Sequence, residues 1–181
     1  MLRLRASAAQ LLVIDFQERL TPHIHEAPEC LAQAVRMIAA ARPLGLPVTV
    51  SEQYVSGLGN TVSAVLEALE GAERFEKMSF SVCGDARLKA RLTDLGREQV
   101  LICGVEAHVC VQQTALDLAQ MGLRPVILAD AVSSRRALDR EVAIERLRGA
   151  GVLVTTVEAA IFEMLDVCGT ELFKRILPLV R

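Results

Sequence analysis

The stretch from Val100 to Cys110 reads Val-Leu-Ile-Cys-Gly-Val-Glu-Ala-His-Val-Cys. Its first part is an apolar run, which is typical of a strand buried on both faces of a sheet. A helical pattern begins almost at once, with small or apolar residues at Val109, Thr114, Ala115, Leu118 and Met121. Cys110 therefore falls on the first turn of a helix, just past a buried strand. Free amide N–H groups and the helix dipole favour a thiolate there, so we expect a lowered pKa for the Cys110 thiol.

The same alternation of strand and helix extends along the whole chain. Three helices are predicted. The first covers residues 28–42, the second begins after its cap at Asp85 and ends at Gly96, and the third covers residues 138–148. The other predicted strands are 11–14, 47–50, a weaker one at 74–78, 125–129 and 152–155. Continuous apolar strands alternating with amphipathic helices predict an α/β fold in which helices cover both faces of a six-stranded parallel sheet. No linker or repeat interrupts the pattern, so residues 1–181 are predicted to form a single domain.

Composition narrows the class of protein. The chain has 181 residues, of which 52% are hydrophobic, and a net charge of −2 with both signs mixed, so nucleic acid and membrane surfaces are not expected as partners. It contains no apolar run of about 18 residues that could span a membrane. The start, Met1-Leu2-Arg3, and the early Asp15 do not fit a signal peptide. Five cysteines without a C-x-x-C pair indicate a reducing, cytoplasmic location, with Cys30 and Cys103 as inert packing residues.

Three chemically capable side chains lie at or just after predicted strands: Asp15, Lys77 and Cys110. Taken singly, each has a simpler interpretation, as a loop-capping carboxylate, a surface lysine and an inert buried thiol. In one parallel sheet, however, the carboxyl ends of the strands face a common crevice. Asp15 could then accept the thiol proton, Lys77 could hold the carboxylate and thiolate by charge, and Cys110 could attack an electrophilic carbon.

Three segments carry a resemblance to a known family. Val13–Gln17, Phe75–Phe80 and Gly104–Val111 match, in order, the signature segments of isochorismatase-like cysteine hydrolases. The resemblance implies a three-layer, Rossmann-like α/β/α fold and a catalytic triad of Asp15, Lys77 and Cys110. It also implies a cis peptide bond before Glu106, with the backbone N–H groups of Glu106 and Cys110 forming an oxyanion hole.

Two departures from other branches of the family guide the functional prediction. The segment Glu52-Gln53-Tyr54 with the following Gly57–Val62 loop resembles the isochorismatase domain-containing subfamily, and it lacks the Asp-x-His metal cluster of nicotinamidases. True isochorismatases, which cleave a vinyl ether, lack the cysteine. We therefore predict a metal-independent, cofactor-free cysteine hydrolase that cleaves an amide-like C–N bond of a small molecule through a thioester. The alternatives are a catalytically silent binding module, a redox-sensing thiol at Cys110 and a vinyl-ether hydrolase.

Some predictions concern the surroundings of the site. Phe16, Gln17, Tyr54 and Phe80 flank the strand-end positions and are candidate substrate contacts. His23 and His25 could be taken for a metal pair, but no third ligand lies nearby in sequence, so a solvated loop or a subunit contact is the alternative. His108 is expected to contact substrate or water. Apolar residues within 161–165 and 172–177 exceed what one sheet is expected to cover, which favours a homo-oligomer.

Overall fold

The computed structural model describes residues 3–69 and 71–180; Met1, Leu2 and Arg181, at the ends of the predicted domain, lie outside them. The strands are β1 (Ala9–Ile14), β2 (Val48–Gln53), β3 (Arg74–Lys77), β4 (Gln99–Val105), β5 (Arg124–Ser133) and β6 (Leu153–Thr155). The helices are α1 (Ala27–Leu44), α2 (Val55–Leu58), α3 (Ser63–Leu69), α4 (Ala86–Asp94), α5 (Gln112–Gln120), α6 (Ala137–Gly149), α7 (Val157–Leu165) and α8 (Glu171–Ile176).

All six strands form one parallel sheet in the order β3-β2-β1-β4-β5-β6. The predicted three-layer α/β fold is confirmed. The order reverses between β1 and β4, which lie side by side at the centre of the sheet and are buried along their whole length. In open sheets of this kind, ligands bind beyond the carboxyl ends of the strands at such a reversal. Asp15 directly follows β1 at that crevice, and Cys110 lies in the helical turn that follows β4.

Two hydrophobic clusters cover the two faces of the sheet. Leu11 and Val13 of β1 pack into a cluster with α1, α7 and α8, whereas Leu12 and Ile14 pack into a second cluster with α4, α5 and α6. Successive strand residues point to opposite faces, so one apolar run supplies both layers. Cys30 and Cys103 lie in the first cluster, as predicted for packing residues. Burial raises the pKa of Cys30 to about 12 and that of Cys103 further still.

Two expectations about the chain's apolar segments need correction. Strand β2 continues to Gln53, three residues beyond its predicted end, because the polar groups of Glu52 and Gln53 find partners within the fold. The apolar stretches at 161–165 and 172–177 are also largely covered by the first core cluster; Ile161 and Ile176 are completely buried. Phe162 is the exposed large apolar residue in these stretches, at 39%, so most of their apolar surface is covered within the chain.

Gly104 allows the two central strands to approach each other. Its φ is +140°, and a Cβ atom placed there would lie 2.3 Å from the carbonyl oxygen of Ile14. Only glycine fits a backbone with this conformation and this neighbour. The close approach brings the carboxyl end of β4 next to that of β1, where Asp15 follows.

Candidate functional site

Three elements bring Asp15, Lys77 and Cys110 together. Asp15 directly follows β1 with a left-handed φ of 55°, a conformation that aspartate adopts more readily than most residues. Lys77 is the last residue of β3. Cys110 lies in a single π-helical turn, Ala107–Val111, that leads into α5. The exposed fractions of the three residues are only 0%, 1% and 6%, respectively, so they meet in a nearly dry environment.

Lys77 lies between the carboxylate and the thiol. Its Nζ donates to Asp15 Oδ2 at 2.8 Å and lies 3.7 Å from Cys110 Sγ. The second carboxylate oxygen of Asp15 accepts a 2.7 Å hydrogen bond from Ser51 Oγ on β2. A charge this deeply buried needs both a counter-ion and hydrogen bonds. Here, Lys77 provides the counter-ion of Asp15, and Ser51 provides a further hydrogen bond.

Three more acceptors surround the Lys77 ammonium. Gln53 Oε1 accepts from Nζ at 2.7 Å, and the carbonyl oxygens of Ser79 and Phe80 lie at 3.2 Å. The side-chain amide of Gln53 also donates to the carbonyl of Met78 at 2.9 Å. Sequence reasoning did not assign Ser51 or Gln53 to the site. The polar residues in the last part of an otherwise apolar strand were the available signal.

The environment of Cys110 contradicts the expected fall in its pKa. Burial, and after it the hydrogen-bonded Asp15 carboxylate, raise the pKa of the Cys110 thiol to about 12. Lys77 opposes both effects without reversing them. The start of the helix lies where it was predicted, but the cost of an anion in this buried position exceeds what the helix dipole offers. The resting site therefore holds a neutral thiol beside a Lys77–Asp15 ion pair.

The backbone before Cys110 forms a tight turn around one carbonyl group. The peptide bond between Val105 and Glu106 is cis. The carbonyl oxygen of Glu106 accepts hydrogen bonds from the amides of Val109 and Val111 at 3.1 and 3.2 Å. The Glu106 carboxylate accepts from the backbone N and Nε of Arg135, at 2.9 and 3.0 Å. Both ends of the turn that carries Cys110 are thus fixed.

The four candidate substrate contacts divide into two pairs. Tyr54 and Phe80 are 48% and 56% exposed at the carboxyl edge of the sheet, where a ligand could reach them. Phe16 belongs to the first core cluster, and Gln17 is completely buried. The Gln17 side chain donates to the carbonyls of Gln53 and Gly59 and accepts from the amide of Gln53. Phe16 and Gln17 thus have structural contacts in this fold, and their predicted contact with substrate stays a prediction.

The loop after β2 is held in place by a buried carboxylate that the sequence did not reveal. Glu52 Oε1 accepts from the backbone N and the hydroxyl of Thr61 at 2.8 and 2.6 Å, and from Arg74 at 3.3 Å. The ring of Tyr54 fills the space beside Gly57, where a Cβ atom would lie 2.3 Å from ring carbons. A cavity of about 430 Å³ has Lys77 and Tyr54 in its lining, but Asp15 and Cys110 do not line it. The loop thus forms an ordered wall beside the site.

The three histidines lie in different settings. His23 ends a short 3-10 turn, and the backbone of His25 is bonded to Ser133 and Ser134. His108 Nδ1 is 2.9 Å from Ser134 Oγ, which orients the ring toward the loop after β5. Within residues 3–69 and 71–180, no cluster of three or more His, Cys, Asp or Glu side chains is arranged to hold a metal ion.

The sequence matches the Isochorismatase domain over residues 9–159, which is most of the chain. The protein belongs to the isochorismatase family. It is 38% identical to the secreted isochorismatase effector Isc1 of Phytophthora sojae over 99% of this chain and 87% of that protein. It is 43% identical to isochorismatase domain-containing protein 1 of Danio rerio over 83% of this chain and 53% of that longer protein.

Solved structures of relatives share the fold. The MAR1 ribonuclease of Caenorhabditis elegans superposes with a TM-score of 0.92 at 38% identity, covering 98% of this chain and 92% of that one. The YcaC gene product of Escherichia coli, described as an octameric hydrolase of unknown specificity, gives a TM-score of 0.90 at 20% identity, covering 98% and 92%. These family relationships support a hydrolase. None of the helices in the described ranges is long and apolar enough to cross a membrane.

Proposed function

We propose that this isochorismatase-family protein is a metal-independent cysteine hydrolase that cleaves an amide-like C–N bond of a small molecule. The observation that carries the proposal is the position of the Lys77 ammonium, 2.8 Å from Asp15 Oδ2 and 3.7 Å from Cys110 Sγ, with all three side chains buried. Burying an acid, a cation and a thiol in one place has a cost that packing alone does not require. Buried ionisable groups gathered at a strand-end crevice are typical of active sites.

In the proposed reaction, Asp15 acts as a general base at the moment of attack. As Cys110 Sγ bonds to the carbonyl carbon, its proton passes to Asp15, and the C=O π electrons move onto the oxygen. The backbone N–H groups of Glu106 and Cys110 receive this oxyanion. When the tetrahedral intermediate collapses, the C–N bond breaks and the amine leaves with the proton from Asp15. Water then attacks the thioester, its proton passes to Asp15, and Sγ leaves to regain the proton.

Lys77 stabilises the negative charge that moves between the carboxylate and the sulfur. Because the thiol pKa is raised to about 12, a free thiolate is not available in advance, and proton transfer accompanies bond formation. Only 6% of Cys110 is exposed, so the part of the substrate that reaches its sulfur must be narrow in cross-section. Tyr54 and Phe80 are the side chains we propose to contact the rest of the substrate.

The proposal is tested with Cys110→Ala against a panel of small amides, carbamoyl compounds and related C–N substrates. We expect turnover and the acyl adduct seen by mass spectrometry to disappear, while Cys168→Ala, an exposed cysteine elsewhere, keeps both. Dialysis against a chelator should leave turnover unchanged. Turnover that survives Cys110→Ala would refute the mechanism, and the absence of turnover or adduct across the panel would favour a binding module.

We also propose that the protein self-associates and works in a reducing compartment. Leu138 and Val142, one turn apart on α6, are 62% and 53% exposed and present an apolar strip to solvent. The five cysteines are all free, which suits a cytoplasmic protein. Light scattering of the wild type and of Val142→Glu tests the first point: we expect an oligomer whose mass falls in the variant. A monomeric wild type would contradict it.

A further inference from the structure

The segment from Ser79 to Val82 leaves β3 and turns back toward Lys77. The carbonyl oxygens of Ser79 and Phe80 each lie 3.2 Å from Lys77 Nζ. The Phe80 side chain is 56% exposed, so packing of that ring does not hold the segment in place. The Val82 side chain is completely buried in the second core cluster, and hydrogen-bonded contact adds to that packing in fixing the two carbonyl groups.

Two side chains of α5 provide that contact. The hydroxyl of Thr114, which is completely buried, accepts a 2.9 Å hydrogen bond from the backbone N of Val82. Asp117 Oδ2 accepts from Ser81 Oγ at 2.5 Å. Residues three apart on a helix lie on the same side, so Thr114 and Asp117 form one pair of anchor points for consecutive residues of the segment.

Cys110 lies on the same continuous helical segment as Thr114 and Asp117. Cys110 lies in the turn that leads into α5, four residues before Thr114. Side chains four residues apart project toward the same side of a helix. Cys110 and the two anchor residues thus belong to one continuous helical segment. The distance between the Lys77 ammonium and the Cys110 sulfur therefore depends on the contacts of this helical segment with residues 79–82, as well as on the ion pair of Lys77 with Asp15.

We infer that Thr114 and Asp117 are positioning residues that anchor the segment 79–82 to α5 and thereby hold the Lys77 ammonium beside Cys110. The inference deepens the proposed function, on which its catalytic meaning rests. Neither residue is expected to touch substrate. They act through the carbonyl groups of Ser79 and Phe80, and their loss allows the ammonium to move away from the sulfur.

Thr114→Val keeps the shape of the side chain and removes the acceptor for Val82. The charged groups that face the thiol are Asp15 and Lys77, and Lys77 is the one that favours the thiolate. We therefore expect a higher pKa for Cys110 and alkylation at pH 8 that is about three- to tenfold slower, corresponding to about 0.5–1 pKa unit. The kcat should fall by a similar factor with little change in KM. The measurement is the pH profile of iodoacetamide labelling at the Cys110 peptide, by mass spectrometry.

Matched variants separate positioning from general destabilisation. Thr114→Ser keeps the hydroxyl and should restore the wild-type profile. Thr49→Val removes a completely buried hydroxyl that has no hydrogen-bond partner within the described residues, and it should leave the profile unchanged. Asp117→Leu, on a partly exposed residue that should not prevent folding, should act like Thr114→Val, whereas Asp117→Asn keeps an acceptor and should not.

A wild-type labelling profile in folded Thr114→Val and Asp117→Leu would overturn the inference. Labelling requires no substrate, so this failure would leave the proposed hydrolysis standing. Turnover by Cys110→Ala would instead refute the hydrolysis without altering the labelling result. The two proposals are therefore tested separately.

Discussion

Two ion pairs join the first three strands, and they differ in burial and in surroundings. Asp15 and Lys77 meet at 2.8 Å with side chains that are completely buried. Glu52 and Arg74 meet at 3.3 Å, with side-chain exposures of 8% and 39%. Lys77 and Arg74 are the two ends of the same short strand, β3. Each pair joins one carboxylate to one cationic side chain, but the two pairs differ in burial and in the groups around them.

The partners of each carboxylate explain the difference. Glu52 binds the backbone and hydroxyl of Thr61, so it fixes the loop that carries Tyr54. Its neighbour Gln53 points to the opposite face of β2 and binds Lys77. Asp15 has a thiol beside it, whereas Glu52 has none among its hydrogen-bond partners within the described residues. The buried pair lies next to a thiol, as the proposed chemistry requires, whereas the more exposed pair lies next to a loop that it holds in place.

The largest expected effect comes from Lys77→Met, which leaves the Asp15 carboxylate buried without its counter-ion. Removing one partner of a buried pair costs about 3–5 kcal/mol of unfolding free energy. We also expect turnover to fall by at least about 10²-fold, because the moving negative charge loses its stabilising cation. Urea unfolding and steady-state kinetics measure the two effects. If Lys77→Met lost less than about 1 kcal/mol of unfolding free energy, the buried Asp15–Lys77 pair would not differ in stability from the Glu52–Arg74 pair.

Asp15→Asn should separate thiol ionisation from catalysis. Asp15 raises the Cys110 pKa, so its removal lowers that pKa from about 12, and labelling at neutral pH becomes faster. Turnover should nevertheless fall by about 10²–10⁴-fold, because the proposed general base is gone. Wild-type labelling should rise about tenfold per pH unit without a plateau up to pH 10, since the thiol titrates above that range. Slower labelling in Asp15→Asn would contradict the assigned direction.

Glu52→Gln tests the structural pair. The variant keeps an acceptor for Thr61 but removes the charge, so we expect a loss of about 1–2 kcal/mol of unfolding free energy. The labelling profile of Cys110 should remain that of the wild type, because Glu52 faces away from the thiol. A shifted profile would show that the two pairs are coupled through β2.

Arg74→Met should give the smallest effect. With 39% of its side chain exposed, the guanidinium is screened by solvent, and a pair of this kind contributes about 0–1 kcal/mol. Thermal unfolding of Arg74→Met and Lys77→Met in the same buffer compares the two ends of β3 directly. Equal losses of stability would remove the distinction between the pairs.

Much of the site follows from the sequence because polar residues are conspicuous at the ends of apolar runs. Asp15 and Lys77 stood out in this way, and Cys110 stood out at the start of a helix. Ser51 and Gln53 lie in the polar second half of β2, beyond the apolar run that ends at Val50, so the apolar pattern does not indicate them. Phe16 and Gln17 are candidate contacts because they follow Asp15 in sequence, which does not by itself fix where their side chains point. Adjacent residues in a chain leaving a strand need not face the same space.

The sequence alone determined the parallel α/β fold and the three side chains at its strand ends. Apolar periodicity records which residues avoid water, and that information is local to each segment. Only the tertiary structure decided that Gln17 and Glu52 bind backbone, and that the Cys110 thiol is harder to ionise than a free cysteine. Hydrogen-bond partners and desolvation depend on groups that are far apart in the chain. Asp15 and Lys77, for example, are separated by 62 positions in the sequence. The fold brings these groups together, and their contacts set the chemistry.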